Sequence, residues 1–255
     1  MKLTFLGTGT STGVPSISCE CETCTSDDPH DKRLRVSVLV EHDGQTVLVD
    51  TSTDFRQQAL RYRLKRLDAV LITHCHADHI FGLDDVRPIN FRHGALGLYA
   101  SEEAWCDIRR IFQYIFEPTH FGGGLPQIIP HKIEANAPFS LGKNLLVTPM
   151  EVLHGKTPVM AYRFNDFAYA TDLSEIPPAA LKNLRDLDVL VLDCLRFKSH
   201  PTHLSLEDAL RYIEELKPRR AYLTHIAHDI KHARDAARLP AHVAFAYDGL
   251  EVSEQ

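Results

Sequence analysis

Four candidate metal ligands, three histidines and one aspartate, lie within the six residues 74–79 (HCHADH). This segment follows residues 69–73 (AVLIT), a continuous apolar run that is typical of a buried strand. Because alternate side chains of an extended chain point the same way, the two histidines of the His-x-His pair can bind one ion together. Asp78 and His79 follow where the chain turns toward a helix, so they can bind a second ion beside the first. The four predicted ligands are His74, His76, Asp78 and His79.

A second group of metal-binding side chains is formed by three of the six cysteines, in the segment 19–24 (CECETC). In a chain without an export signal, so tight a group favours a metal site over a disulfide. Three thiolates leave one position of a tetrahedral zinc ion open, and a histidine from elsewhere is the expected fourth ligand. A disulfide between two of the three is the alternative. The other cysteines, Cys75, Cys106 and Cys194, are expected to be small core residues.

The composition is that of an ordinary globular protein and excludes disordered, collagen-like and coiled-coil chains. The chain has 255 residues, of which 44% are apolar and 24% charged, and its formal net charge is −6. No apolar stretch approaches the roughly 20 residues that span a bilayer, and the first residues do not resemble a signal peptide, so we expect a cytoplasmic protein without membrane contact. The negative charge makes long nucleic acid an unfavourable partner and favours a small substrate.

Strand and helix patterns alternate along the chain, with hairpins among them, which predicts an α/β fold with mixed sheets. The pattern of a strand ending in Asp with a second strand about 20 residues later occurs twice, from residues 46 and 167, and hints at a duplicated unit. Strands are predicted at 3–6, 36–41, 46–50, 69–73, 188–193 and 220–224, and helices at 55–64, 101–116 and 205–216, with Ser101 and Ser205 as N-caps.

The motif His-x-His-x-Asp-His at 74–79 resembles the signature of the metallo-β-lactamase superfamily. The resemblance implies one domain over residues 1–255, an αββα sandwich of two mixed sheets packed face to face, with helices outside and two metals at one edge. It also implies that Asp50 orients a ligating histidine. The implied ligands are His74, His76 and His154 for the first metal, Asp78, His79 and His225 for the second, and Asp172 as the bridging carboxylate.

Finer features resemble one branch of this superfamily, the branch that contains the phosphoribosyl cyclic phosphate phosphodiesterase of phosphonate breakdown. These features are residues 5–9 (FLGTG), residues 13–15 (GVP) and the cysteine spacing. The branch holds a structural zinc with Cys19, Cys21, Cys24 and a histidine three residues after the last metal histidine, which here is His228. His203 matches the catalytic histidine of the branch.

The resemblance implies a dinuclear metallohydrolase that cleaves small cyclic or nucleotide-like phosphodiesters. Water shared by two metals loses a proton near neutral pH, and the resulting hydroxide can attack phosphorus. Asp78 and His203 are the catalytic candidates, and His203 protonates the leaving oxygen or binds the phosphate, a contribution worth about 10²- to 10⁴-fold. The imidazole and carboxylate ligands suit Zn, Mn or Fe, whereas the thiolates suit Zn.

Other readings of the sequence remain open. One is a tRNA 3′-processing endonuclease of the same superfamily, although no Gly/Lys-rich arm for tRNA is evident; another is a noncatalytic metal-binding or cofactor-biosynthesis protein. A homodimer is compatible with the sequence. The aromatic stretch 105–126 is longer than the branch suggests, and its aromatic residues are expected to be core more often than substrate platform. Arg87 either contacts the substrate anion or forms a structural salt bridge.

Overall fold

The computed structural model describes residues 1–117 and 124–254, in which strands form two mixed sheets of seven strands each. The sheets pack face to face and the helices cover their outer faces, so the αββα sandwich expected from the sequence is confirmed. In spatial order the first sheet comprises β14 (Glu251–Ser253), β1 (Lys2–Gly7), β2 (Ser37–His42), β3 (Gln45–Val49), β4 (Ala69–Leu71), β5 (Leu96–Ala100) and β6 (Ile128–Lys132).

The second sheet is built mainly from the second half of the chain. In spatial order it comprises β13 (Val243–Phe245), β12 (Arg220–Thr224), β11 (Val189–Asp193), β10 (Phe167–Ala170), β9 (Thr157–Phe164), β8 (Leu145–His154) and β7 (Phe139–Leu141). Its central strands β10, β11 and β12 are parallel, as are β3 and β4 of the first sheet.

Short helices connect the strands. They are α1 (Phe55–Arg61), α2 (Ala77–Ile80), α3 (Arg87–His93), α4 (Glu102–Ile111), α5 (Gln113–Phe116), α6 (Pro178–Leu181), α7 (Leu206–Leu216) and α8 (His232–Ala236). The predicted N-caps are confirmed, since Ser101 accepts from the Ala104 amide and Ser205 forms a capping box with Asp208. Among the described residues, no helix is both long and apolar enough to span a bilayer.

Two of the predicted helices are shorter than expected. The helix predicted over 101–116 is interrupted at Phe112, whose φ of −110° and ψ of 38° are not helical. The interruption lets the buried Phe112 ring pack edge-on against Phe81, at 6.5 Å between ring centroids. The helix predicted over 55–64 ends at Arg61, because the backbone turns into the left-handed region at Arg63.

The expectation that the scattered cysteines lie in the core is correct for one of them. Cys194 is buried, but Cys75 is only partly buried and Cys106 is exposed. Cys106 lies on the outer face of α4, whose buried side chains are Ala104, Trp105 and Ile108. On this amphipathic helix, the apolar character of a cysteine side chain therefore does not determine whether it is buried.

Apolar side chains alternate between the two faces of the central strands. In β3, Val47 and Val49 face the opposite sheet whereas Leu48 faces the helices, and β2 alternates in the same way. Fully burying one such side chain stabilises a fold by about 1.5–3 kcal/mol. Because both faces of the sheets are covered, the strands read as continuous apolar runs rather than as alternating ones.

The parallel arrangement brings the carboxyl ends of several strands to one edge of the sandwich. β8 is antiparallel to β9, and β9 is antiparallel to β10, so β8 also ends at the edge where β10, β11 and β12 end. Open sheets of this kind bind their ligands at the carboxyl ends of the strands. The polar side chains that follow these ends therefore converge there.

Candidate metal centre and active site

Each predicted metal ligand lies at, or directly after, the carboxyl end of a strand at this edge. His74 and His76 follow β4, and α2 places Asp78 and His79 one turn later. His154 ends β8, Asp172 follows β10 and His225 follows β12. We call these seven residues the rim cluster: His74, His76, Asp78, His79, His154, Asp172 and His225.

The rim cluster divides into two groups of donors that share Asp172. Within each group, the potential ligand atoms lie within 4.8 Å of one another. Asp172 Oδ1 lies 3.3 Å from His225 Nε2, and its Oδ2 lies 3.4 Å from His79 Nε2 and 3.9 Å from His74 Nε2. One carboxylate thus faces ligands of both groups, as a bridge between two ions requires. The groups are His74, His76, His154 and Asp172, and Asp78, His79, Asp172 and His225.

Unpartnered atoms in the donor group of Asp78, His79, Asp172 and His225 fit a divalent cation. His79 Nε2 and both ring nitrogens of His225 are buried without a hydrogen-bond partner, although buried polar atoms nearly always have one. Burial lowers the pKa of His79, but the carboxylates of Asp172 and Asp50 outweigh it and raise that pKa well above its ordinary value. The cluster therefore attracts positive charge, which a bound metal ion supplies as well as a proton does.

The electrostatics of two other ligands favour the protonation states that bind metal. Burial lowers the pKa of His74 well below its usual value, which keeps the imidazole neutral. Burial alone would raise the pKa of Asp172, but the imidazoles of His225 and His79 hold it well below its usual range. Metal ligands must be neutral imidazoles and ionised carboxylates, so both side chains are in the required form.

Asp50 lies where it can orient His79. Its Oδ2 is 2.7 Å from His79 Nδ1, and its carboxylate also accepts from the Thr73 amide and hydroxyl, each at 2.8 Å. With Nδ1 donating to Asp50, Nε2 of His79 is left to face the rim cluster. The side chain is fully buried beneath that cluster.

Two aspartates and one histidine of the site have strained backbone conformations where their strands end. Asp50, Asp172 and His225 have φ values of 63°, 55° and 59°, in the left-handed region that residues with a side chain rarely adopt. Such conformations cost about 1–3 kcal/mol each and persist where the surrounding structure fixes them. Here the sharp turn directs each side chain to the edge of the sandwich.

Asp193 is a residue of the site that our sequence analysis missed. It ends β11, is fully buried, and accepts from the amides of Asp172 (3.0 Å) and Leu204 (2.9 Å). Its Oδ1 lies 3.2 Å from Nδ1 of His203 and 3.7 Å from Nδ1 of His225. The signal was available, because the strand ends in Asp as the strands before Asp50 and Asp172 do.

This network positions His203 beside the rim cluster. Its ring stacks on that of His225, at 4.7 Å between centroids and an interplanar angle of 13°, and contacts the edge of His154 at 4.7 Å. Since Asp193 holds Nδ1, the other nitrogen, Nε2, is the atom available for a reacting group. Because the Asp193 oxygens are occupied by amides and imidazoles, we interpret Asp193, His203 and His225 as an orienting network rather than a third metal site.

The cysteine group meets His228 as expected for a tetrahedral site, and we call these four residues the thiol site. Sγ atoms of Cys19, Cys21 and Cys24 lie 3.2, 3.6 and 3.4 Å from His228 Nδ1. Around a zinc ion with ordinary bond lengths, sulfur and nitrogen ligands are separated by about 3.5 Å. All six cysteines are free, so the disulfide alternative is not supported by the structure. The donor set therefore fits one zinc ion.

A cavity of about 310 Å³ opens beside His74 and His76, between the start of α4 and the β8–β9 hairpin. One wall is apolar and includes Pro158, Val159 and Met160. The other polar lining residues include three carboxylates, Glu103, Asp107 and Glu151. The cavity is thus suited to an organic group without negative charge.

The aromatic stretch belongs to the core only in part, because Trp105 and Phe112 are buried whereas Tyr114 is exposed. Trp105 is buried and donates to the His131 carbonyl, and the Tyr114 hydroxyl donates to Asp84 at 2.6 Å. Residues 118–123 of the stretch lie outside the described part of the chain. Arg87 forms a salt bridge with Asp84 and donates to the Gly124 carbonyl, which is the structural alternative considered for it.

A family model described as "Beta-lactamase superfamily domain" matches residues 45–226. The chain belongs to the beta-lactamase superfamily. This fold implies binding of divalent metal ions, and the rim cluster and the thiol site are the candidate positions in the chain.

The chain is similar in sequence to the octanoyltransferase of Porphyromonas gingivalis. It is 38% identical over 254 residues, which are 98% of this chain and 51% of the relative. The chain therefore spans about half the length of that protein.

Solved structures place the chain in a narrower branch of the superfamily. A structure described as a new diphosphatase from the PhnP family is 44% identical, with a TM-score of 0.92, and covers 100% of this chain and 98% of its own. The branch expected from the sequence is thereby confirmed. Zinc-bound PqqB from Methylobacterium extorquens shares the fold, with a TM-score of 0.82 at 19% identity over the full length of both chains.

The thiol site can be tested with two cysteine variants. We expect Cys21→Ser to lose one tightly held zinc per chain and to lower the melting temperature, because the binding energy of a structural zinc is folding energy. Elemental analysis and thermal unfolding measure both effects. Cys106→Ser is the matched control, since Cys106 is exposed and outside the cluster, and it should change neither quantity. Full zinc retention in Cys21→Ser would refute the site.

The role of Asp193 can be tested by a double-mutant cycle with His203. We expect Asp193→Asn to lower turnover about 10- to 100-fold, the usual effect of removing a carboxylate that orients a histidine. If Asp193 acts through His203, the double variant Asp193→Asn/His203→Gln should be no slower than His203→Gln alone. Losses that multiply instead would show that the two residues act independently.

Proposed function

We propose that the protein is a metal-dependent hydrolase of small phosphodiesters or related phosphoric esters and anhydrides. The observation that carries the proposal is the sharing of Asp172 by two donor groups, with an oriented histidine beside them. The similarity to a PhnP-family diphosphatase supports attack on phosphorus. That relative is named for cleaving a phosphate-to-phosphate linkage, so such linkages belong to the substrate class.

The chain supplies binding and proton transfer around the reacting phosphate. When bound, two divalent metals would lower the pKa of water and neutralise charge on the phosphoryl oxygens. Asp78 and Asp172 orient the histidines of the cluster and balance their charge. Burial raises the pKa of both carboxyl groups, but the neighbouring imidazoles outweigh it and keep them ionised. In this proposal His203 turns Nε2 toward the leaving group, while Asp193 holds its Nδ1 in place.

The organic part of the substrate occupies the cavity beside His74 and His76 in this proposal. Its apolar wall accepts a ring or an alkyl group, and its carboxylates disfavour a second negative charge. The small cavity and the net charge of −6 favour a compact substrate over a folded RNA. For these reasons we rank a tRNA-processing activity below the hydrolysis of small phosphoric esters.

Turnover of bis(p-nitrophenyl) phosphate tests the catalytic assignment. We expect activity with added Mn²⁺ or Zn²⁺ that falls below about 1% of wild type in Asp78→Ala and in His203→Ala, consistent with losses of 10²- to 10⁴-fold for a proton-transfer group. Asp78→Ala should bind less metal, whereas His203→Ala should bind as much as wild type. His93→Ala, which lies on α3 outside the cluster, is the control.

A substrate panel distinguishes the possible activities of the same site. A 2′,3′-cyclic nucleotide and a nucleoside diphosphate ester represent the proposed class, precursor tRNA represents the nuclease alternative, and an octanoyl thioester represents the acyl chemistry named for the relative. Hydrolysis of the tRNA or the thioester at a kcat/KM above that of every small phosphoric ester would contradict the proposal.

The acidic wall of the cavity predicts a charge preference. We compare p-nitrophenyl phosphodiesters whose second alcohol is choline, ethanol or glycolic acid, at low ionic strength. A charge pair near the surface contributes up to about 1 kcal/mol. We therefore expect kcat/KM to fall by about two- to fivefold from the choline ester to the ethanol ester, and again from the ethanol ester to the glycolic acid ester. The double variant Glu103→Gln/Glu151→Gln should reduce these ratios toward one. Unchanged ratios would show that the organic group lies elsewhere.

A further inference from the structure

Arg33 is a buried cation that neither the metal sites nor the proposed chemistry uses directly. Its side chain is completely buried, and a buried charge is costly unless other groups compensate for it. One terminal nitrogen donates to the Ala227 carbonyl at 3.3 Å, and the other donates to the Ile230 carbonyl at 3.0 Å and to Asp31 at 3.2 Å. The guanidinium thus binds the backbone of a loop distant in sequence.

The loop that Arg33 holds contains one ligand of each predicted metal site. His225 belongs to the rim cluster and His228 to the thiol site, and the two bound carbonyls, of Ala227 and Ile230, lie on either side of His228. Asp31 extends the contact by accepting from the His232 amide at 2.8 Å. Arg33 and Asp31 therefore fix the loop 225–232 over most of its length.

The start of this loop is fixed from other directions as well. The Ile226 amide donates to the Thr8 carbonyl at 2.8 Å, and the Ala227 amide donates to the Leu195 carbonyl at 2.9 Å. His225 itself has the left-handed φ of 59°. A strained residue keeps its conformation only while its surroundings hold it, so displacement of the loop would release His225 from its position.

We propose that Arg33 is a positioning residue that couples the metal affinity of the rim cluster to the state of the thiol site. Ordering His228 on a metal orders the loop, and Arg33 transmits that order to His225. By linkage, a metal in the rim cluster stabilises the thiol site to the same extent. This inference rests on the proposed metal loading of the rim cluster, but it concerns the connection between the sites and not the reaction.

Conservative replacement of Arg33 provides the first test. Arg33→Lys keeps the positive charge, but one ammonium group cannot reproduce the planar fork that binds two carbonyls and a carboxylate. We expect the thiolate-to-cobalt absorption band of the Co²⁺-loaded thiol site to weaken or shift, and the Mn²⁺ affinity of the rim cluster, measured by calorimetry on protein holding Zn²⁺ at the thiol site, to fall at least fivefold.

The matched control is Arg35→Lys, the same substitution two residues away. Arg35 also pairs with an aspartate, Asp54, at 2.9 Å, but its hydrogen bonds go to Asp54 and Ser11 rather than to the loop 225–232. We expect it to change neither the cobalt band nor the Mn²⁺ affinity. Equal effects of both substitutions would mean that general destabilisation is the cause, and would overturn the assignment of Arg33.

A double-mutant cycle tests the coupling itself. In the wild-type background, Cys21→Ser should lower the Mn²⁺ affinity of the rim cluster about tenfold. In the Arg33→Lys background the same change should lower it less than threefold, because the connection is already weakened. Equal losses in both backgrounds, or no loss in the first, would overturn the inference. Failure of the wild-type rim cluster to bind Mn²⁺ or Zn²⁺ would instead contradict the proposed function.

Discussion

The site depends on one electrostatic constraint, the burial of several carboxylates against several imidazoles at the edge of two sheets. Neither set of groups is stable there alone, because each buried ion requires a partner of opposite charge. Asp172 lies at the centre of this arrangement and faces imidazoles from both donor groups. The surrounding hydrogen bonds of Asp50 and Asp193 fix the imidazoles from behind, so the geometry is set before any ligand binds.

The two sheets contribute to this edge in similar ways. In the first, β3 leads to Asp50 and runs parallel to β4, which leads to the His-x-His segment. In the second, β10 leads to Asp172 and runs parallel to β11, which ends in Asp193. This topology agrees with the weak internal repeat in the sequence. In both sheets, a buried acid lies within hydrogen-bond distance of a histidine of the candidate site, Asp50 of His79 and Asp193 of His203.

The fold and most of the site geometry could be predicted from the sequence because their signals are local. The dense segment 74–79 and the cysteine cluster identify themselves by spacing, and the resemblance to a family then locates isolated residues such as His154 and His225. The ligand assignments remain predictions, although the structure brings the residues together. Asp193 was missed although its strand ends in Asp, as the strands before Asp50 and Asp172 do. Arg33 was missed because its role depends on contacts with residues distant in sequence, which no periodicity or short motif reveals. The break at Phe112 was missed for the same reason, since its packing against Phe81 overrides the helical pattern.

The rim cluster combines a segment near the first third of the chain with His225 near its end. A nascent polypeptide still lacking β12 can pair strands β1 to β6 and form the His-x-His turn, but it lacks His225 of the rim cluster. Metal capture on the ribosome would therefore be weak and reversible until the last strands emerge. If the rim cluster binds metal as proposed, tight loading waits until β12 places His225 beside the other six residues.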